Sequence, residues 1–502
     1  MNGLPLGPGH AATVLAAAIQ AGELRATDLM AATLERIDAE NPRFNALITR
    51  RPADELMAEA AAIDRGEARG PLAGVPIGIK DLTETAGVRT TWGSPLLAEH
   101  VPGADAPVVA RVKAAGALIV GKTNTPEFGL GSHTFNPLFG ATGNVFDPAW
   151  SAGGSSGGAA VALAAGLLPL ADGTDMMGSL RNPAAWNQIF GLRPSYGLVP
   201  DAPAGELFLH PLGTPGPMAR SLGDLALLLD CQAGPHPQRP FNRPRAGSFR
   251  GALEAAAHGS GPQREGASGL RIGWLADWGG HYPTEPGILA QCEAALADYA
   301  RRGVEVARVE PAFDPEALMT SWCTLRSWCI ANQLAGYYED AQRCEQLKPE
   351  AQWEVEQGLG LSARAVHQAS EVRSAWYRCL AELFRHYDAL ALPTAQCFPF
   401  PVEQAWPREI HGRSLDTYHR WMEVVVPASL AGIPALSVPV GFAAADGRAG
   451  AVPEPGAARP SASAVVAGEP PRPVGLQLLG PPGGDAALLG LAARCCGTGR
   501  LA

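Results

Sequence analysis

The sequence predicts an α/β protein. Short apolar runs of strand character recur along the chain: Val75 to Ile79, Ala117 to Val120, Leu270 to Leu275, Ala389 to Leu392 and Ala435 to Val440. Segments of helical periodicity lie between them, and a Gly/Ser-rich run, Gly153 to Gly158, opens directly into an apolar helix. The 502 residues are 46% hydrophobic and 18% charged, which suffices for a substantial core and argues against disorder.

Taken in order, Ala11 to Arg65 carries apolar residues at helical spacing, broken at Asn41-Pro42, so two or three helices open the fold. Ala106 to Ala115 reads as a helix or turn between the first two strands, and Ala159 to Leu168 as a buried helix. The Pro-, Gly- and Arg-rich stretch Gly234 to Gly269 reads as a surface connection and a candidate subdomain border. From Glu316 to His386 the pattern is helical, and Trp322, Trp328, Trp353, Trp376 and Tyr377 are expected mostly in the core or between helices. The Ala/Gly/Pro-rich stretch 443–473 reads as a mobile loop.

Composition narrows the function. A net charge of −10 with no basic run disfavours nucleic acid and anionic membranes, leaving a neutral small molecule as the easier partner. The apolar stretch Ala11 to Ile19 has no preceding Lys or Arg, which is poor for a signal peptide. Pro148 to Ala171 is uncharged, but its first half is too rich in Gly and Ser to span a membrane. Nine scattered cysteines without C-x-x-C spacing point to reduced thiols in the cytoplasm. The eleven His residues lack metal-binding spacing, so neither a metal nor an organic cofactor is predicted.

Two motifs mislead. Gly116 to Thr123, G-A-L-I-V-G-K-T, matches the P-loop pattern. Its middle residues are strand formers, however, and Lys122 is followed by Thr123-Asn124-Thr125-Pro126 instead of a helix. Gly153-Gly154-Ser155-Ser156-Gly157 satisfies the nucleophile-elbow pattern G-x-S-x-G, yet loop-like residues precede it and no His stands out as a base. A third feature is Lys80, at the end of the apolar run Gly74 to Ile79, where burial would disfavour its charge and make it a base.

Gly153 to Gly158, followed by Asp172-Gly173-Thr174-Asp175-Met176-Met177-Gly178-Ser179-Leu180-Arg181-Asn182-Pro183, resembles the signature region of the amidase signature family. Supporting similarity includes Asn41 to Ala46, the Lys80 segment, Gly121 to Asn124, Phe190 to Ser195, Leu392 to Thr394 and Gly475 to Gly480. The resemblance implies one domain over residues 1–502, with a large central, mostly parallel mixed sheet flanked by helices on both faces. Residues 65–200 would form the catalytic core and 201–410 the more variable pocket region.

It further implies a catalytic triad of Lys80, Ser155 and Ser179, with a cis peptide before Ser155. Neutral Lys80 would take a proton from Ser155 while Ser155 takes one from Ser179, the attacking nucleophile. The backbone N–H groups of Met176, Met177, Gly178 and Ser179 are the candidate oxyanion hole, and Asp175, Arg181 and Ser156 would brace the site. The expected activity is hydrolysis of an uncharged aryl or aliphatic amide through an acyl-serine. A glutamyl-tRNA amidotransferase A-like subunit delivering ammonia to a partner is one alternative; a catalytically impaired binding homologue is another. A homodimer is compatible with each. Family members commonly carry a second glycine where this chain has Met177, so a backbone needing positive φ there would be strained.

Overall fold

The computed structural model describes residues 6–201, 206–209, 211–245, 247–258, 269–452 and 472–496. Most of the predicted loop 443–473 lies outside the described residues.

Eleven strands form one sheet: β1 Leu47–Arg50, β2 Pro76–Lys80, β3 Leu118–Thr123, β4 Leu170–Asp175, β5 Phe190–Arg193, β6 Thr214–Ala219, β7 Arg271–Trp274, β8 Glu305–Arg308, β9 Ala389–Pro393, β10 Ala435–Phe442 and β11 Pro473–Leu479. Their order in space is β1-β3-β2-β4-β6-β5-β10-β11-β9-β7-β8. The sheet is mixed. Parallel pairing, expected to predominate, runs through β3-β2-β4 and β9-β7-β8, while every pairing from β4 across to β9 is antiparallel, as is the edge pair β1/β3. Parallel strands need a crossover, which Pro107–Ala114 supplies between β2 and β3, and Gly157–Ala164 lies in the one that carries the chain from β3 past β2 to β4.

The sheet is buried on both faces. In β9, Leu390 and Leu392 join one apolar cluster and Ala389 and Ala391 another, the period of two that a strand imposes. Fifteen α-helices among the described residues complete the α/β architecture. None of the described helices is long and apolar enough to cross a membrane.

The predicted strands and helices appear within a few residues of their expected limits, with two corrections. The helix Ala26–Phe44 runs through Pro42 instead of ending at Asn41. Pro42 sits in the last turn, so its missing N–H forfeits one i→i−4 bond but disrupts no further turn beyond it. Asn41 then caps the turn: its side-chain oxygen accepts the N–H groups of Ala46 and Leu47 at 3.0 and 2.9 Å. The stretch Gly234 to Gly269 contains a helix, Phe249–Ala257, started by Ser248 and buried through Phe249, Leu253 and Ala256. That stretch is also no border between sheets, because β5 before it pairs with β10 after it. Of the aromatic residues in the helical region, Trp322 and Trp376 are fully buried, whereas Tyr377 is exposed. The P-loop match is strand β3, with the Lys122 side chain buried and donating to Thr83 O and Thr85 Oγ1.

Candidate active site

The parallel trio β3-β2-β4 assembles the site. Parallel strands end on the same side, so the carboxyl end of β2, which carries Lys80, lies beside the end of β4, which leads through Asp175 to Ser179. The chain between β3 and β4 returns through the 153–156 loop into the helix Gly157–Ala164, which brings Ser155 to the same edge.

Lys80 has no solvent exposure. Its Nζ lies 2.7 Å from Ser155 Oγ, 2.9 Å from Ser156 Oγ and 3.0 Å from Thr174 Oγ1. Burial lowers its pKa to about 7 against the opposing charges of Asp172 and Asp175, so a large fraction is neutral near pH 7. Its backbone N–H is held by Asp172 Oδ1 at 2.6 Å. Burial pushes the Asp172 carboxyl up to about 6, opposed by that N–H and by the charges of Lys122 and Lys80.

The Gly/Ser run is a packing requirement, not a linker. A Cβ at Gly158 would stand 2.3 Å from Asn124 N and 2.5 Å from Ala46 O, so only glycine lets the helix start this close to the strand ends. The Gly154–Ser155 peptide is cis, as the resemblance implies. Ser132 Oγ donates to Gly154 O, and Thr134 Oγ1 donates to Gly153 O at 2.8 Å. Ser132 and Thr134 touch the site without any spacing signal that marks them in the sequence, whereas Asp172 and Thr174 lie within the signature segment.

Ser179 is buried, and its carbonyl accepts the Ser156 N–H at 3.2 Å, which ties the two serine loops together. Asp175 braces the loop before it. Its carboxylate accepts Gly178 N–H at 2.9 Å, Leu180 N–H at 3.2 Å, and Arg181 Nε and Nη2 at 2.9 and 3.1 Å. Arg181 in turn donates to Gln477 Oε1 and Ser429 Oγ, both at 2.7 Å. Burial alone would raise the Asp175 pKa, but the charges of Arg181 and Arg193 and these hydrogen bonds hold it well below the usual carboxylate range.

Two expectations about the loop change. The Gly178 N–H, one of the four candidate oxyanion donors, donates to Asp175 Oδ1. Met176, Met177 and Ser179 N–H have no acceptor among the described residues. Nor is Met177 strained: φ is positive at Gly178, at 79°, and not at either methionine. Met177 packs in the apolar cluster of the variable helices, with its Sδ accepting Trp322 Nε1–H.

Burial pushes the Cys323 and Cys329 thiols up to about 12, which leaves them inert. Among the described residues, His281, Glu316 and Glu423 place ligand atoms within 4.8 Å of one another. Arg420 Nη1 already pairs with both carboxylates, at 2.8 and 3.3 Å.

The amidase family profile matches residues 28–489. The chain belongs to the amidase signature family. An acylamidase of Rhodococcus erythropolis is 33% identical over 444 residues, covering 87% of this amidase and 89% of the relative. The A subunit of the glutamyl-tRNA(Gln) amidotransferase of Thermus thermophilus is 36% identical over 496 residues, covering 94% of each chain. The crystal structure of a bacterial aryl acylamidase superposes with a TM-score of 0.83 over 97% of this chain and 96% of its own, at 24% identity, which attests the fold. The chain is thus an amide hydrolase by family. Beside Ser132 the amidase has a narrow depression lined by Phe135, Trp406, Tyr418 and Trp421, with Lys348 and Glu350 also on its lining.

Proposed function

We propose that this amidase hydrolyses an uncharged aryl or aliphatic carboxylic amide to the acid and ammonia or amine through an acyl-Ser179 intermediate. The observation that carries the reading is the 2.7 Å contact between the buried, weakly basic Lys80 Nζ and Ser155 Oγ. A serine hydroxyl needs an adjacent base to become a nucleophile at neutral pH, and a lysine with a pKa of about 7 is one.

In the proposed sequence, neutral Lys80 accepts the Ser155 proton as Ser155 accepts that of Ser179. Ser179 Oγ attacks the amide carbon, and the N–H groups of Met176, Met177 and Ser179 receive the developing oxyanion. Ser155 then returns a proton to the leaving nitrogen, the C–N bond breaks, and the acyl-Ser179 ester remains. Water, deprotonated through the same relay, attacks the ester and releases the acid and free Ser179. The aromatic side chains of Phe135, Trp406, Tyr418 and Trp421, gathered beside Ser132, favour an uncharged acyl or amine portion. The reading includes a single domain, a reducing cytoplasmic setting, and no metal or cofactor in the chemistry.

A second reading, glutamine hydrolysis with ammonia passed to a partner protein, has the Thermus relative's name in its support. The purified chain, assayed alone on simple aryl and aliphatic amides and on glutamine, separates the two. Turnover of simple amides without partner or ATP is expected; glutamine turnover only in the presence of a partner would favour the second, and no amide turnover by any route would sink both.

A further inference from the structure

One helix grips the two methionines that stand in the oxyanion loop. Trp322 and Arg326 lie four residues apart on the helix Pro315–Tyr338, hence on one face. Trp322 Nε1 donates to Met177 Sδ at 3.1 Å, and Arg326 Nη1 donates to Met176 Sδ at 3.2 Å. Trp322 is fully buried, and Met177 and Arg326 are each only 3% exposed. A buried indole N–H requires an acceptor, and a glycine at 177, the residue that the family resemblance leads one to expect, would provide none.

The Arg326 guanidinium is itself fixed. Its Nε donates to Glu354 Oε1 at 2.6 Å and its Nη2 to Tyr418 OH at 3.2 Å. Glu354 also accepts Ser327 Oγ–H and Tyr418 O–H, both at 2.6 Å. The remaining guanidinium nitrogen is thereby aimed at Met176. From the other side Asp175 holds the Gly178 and Leu180 N–H groups. The loop is clamped on both flanks, and its N–H groups without an acceptor among the described residues are those of Met176, Met177 and Ser179.

We infer that Trp322 and Arg326 are positioning residues that hold the Met176 and Met177 N–H groups toward the developing oxyanion by gripping the two thioethers. The inference rests on the reading of 176–179 as the oxyanion loop. Met177 is then a working replacement for glycine, because its side chain anchors the loop to a helix that a glycine could not reach.

The test uses the full chain and 4-nitroacetanilide, with Trp322→Phe and Met177→Leu as apolar variants that remove the donor or the acceptor. The expected result is a fall in kcat of about 10- to 100-fold with KM within about twofold. The affinity for a trifluoromethyl ketone, whose hemiketal oxygen occupies the hole, should drop by the same factor. Trp322→Phe/Met177→Leu together should be no worse than either alone, since both remove one contact. Met177→Gly should slow the reaction further. Met176→Leu, at a half-buried position, gives a second reading of kcat and inhibitor affinity if a Trp322 variant does not fold. Wild-type turnover that is lost in Ser179→Ala establishes the underlying site. Against that background, unchanged kcat in Trp322→Phe and Met177→Leu, or a rise in KM alone, overturns the inference and leaves the site standing.

Discussion

Asp172 acts on Lys80 in two ways: its Oδ1 accepts the Lys80 backbone N–H at 2.6 Å, and its charge opposes the burial that lowers the Lys80 pKa. The carboxylate therefore holds the base in place and keeps its pKa from falling further. Both groups are fully buried, so solvent does little to screen the interaction.

Activity should follow the titration of Lys80. The neutral amine is the active form, so kcat/KM should rise with pH through about 7 and then level. Asp172→Asn retains an acceptor for the Lys80 N–H but removes the charge, which lowers the Lys80 pKa. The rising limb should then move to lower pH by about one unit. A profile unchanged in position would show that the limb belongs to another group.

Arg181 should matter most to stability. Arg181→Met leaves Asp175 ionised and buried with only part of its charge compensation, at a cost of about 3–5 kcal/mol in urea unfolding. Arg181→Lys should rescue little, because a point charge cannot replace the two-nitrogen fork on the carboxylate. The Asp175 pKa is depressed in the folded chain, so its contribution is present above the ordinary aspartate value of 3.8 and declines as pH falls below it. Wild type should lose stability over that acid range more steeply than Asp175→Asn.

Much of this was legible in sequence order. The run Gly153 to Gly158 and the segment from Asp172 to Pro183 identify both serines, and Lys80 is legible because it closes an apolar strand. The antiparallel centre of the sheet was not, since β6 reads Thr-Pro-Gly-Pro-Met-Ala, a sequence whose prolines argue against a central strand. Ser132 and Thr134 reach the cis peptide through chain folding across about 20 residues, and Arg326 reaches Met176 from 150 residues away. Such contacts leave no periodic trace. The engagement of Gly178 N–H by Asp175 was equally hidden, because a backbone donor's direction depends on the turn and not on residue type.

Gly178 should tolerate no side chain. Its φ is 79°, and a Cβ would stand 2.8 Å from Asn182 Oδ1 and 2.9 Å from a Val425 methyl. Gly178→Ala is expected to cost about 1–3 kcal/mol in strain and to turn the loop enough to lower kcat by about 10²-fold. Thermal melting and steady-state kinetics together check this; a variant with wild-type kcat would mean that the loop's turn is not needed for the reaction.

In the proposed mechanism the two serines divide the work: Ser155 relays protons and Ser179 attacks. Ser155 sits in the G-x-S-x-G pattern that elsewhere marks a nucleophile, and it alone of the two has a hydrogen bond to Lys80 Nζ. Treating the wild-type chain with a fluorophosphonate and mapping the labelled peptide by mass spectrometry distinguishes the two roles. The adduct is expected on Ser179, with labelling slowed by orders of magnitude in Ser155→Ala and Lys80→Ala. An adduct on Ser155, still formed at the normal rate in Ser179→Ala, would make Ser155 the nucleophile and overturn the assignment.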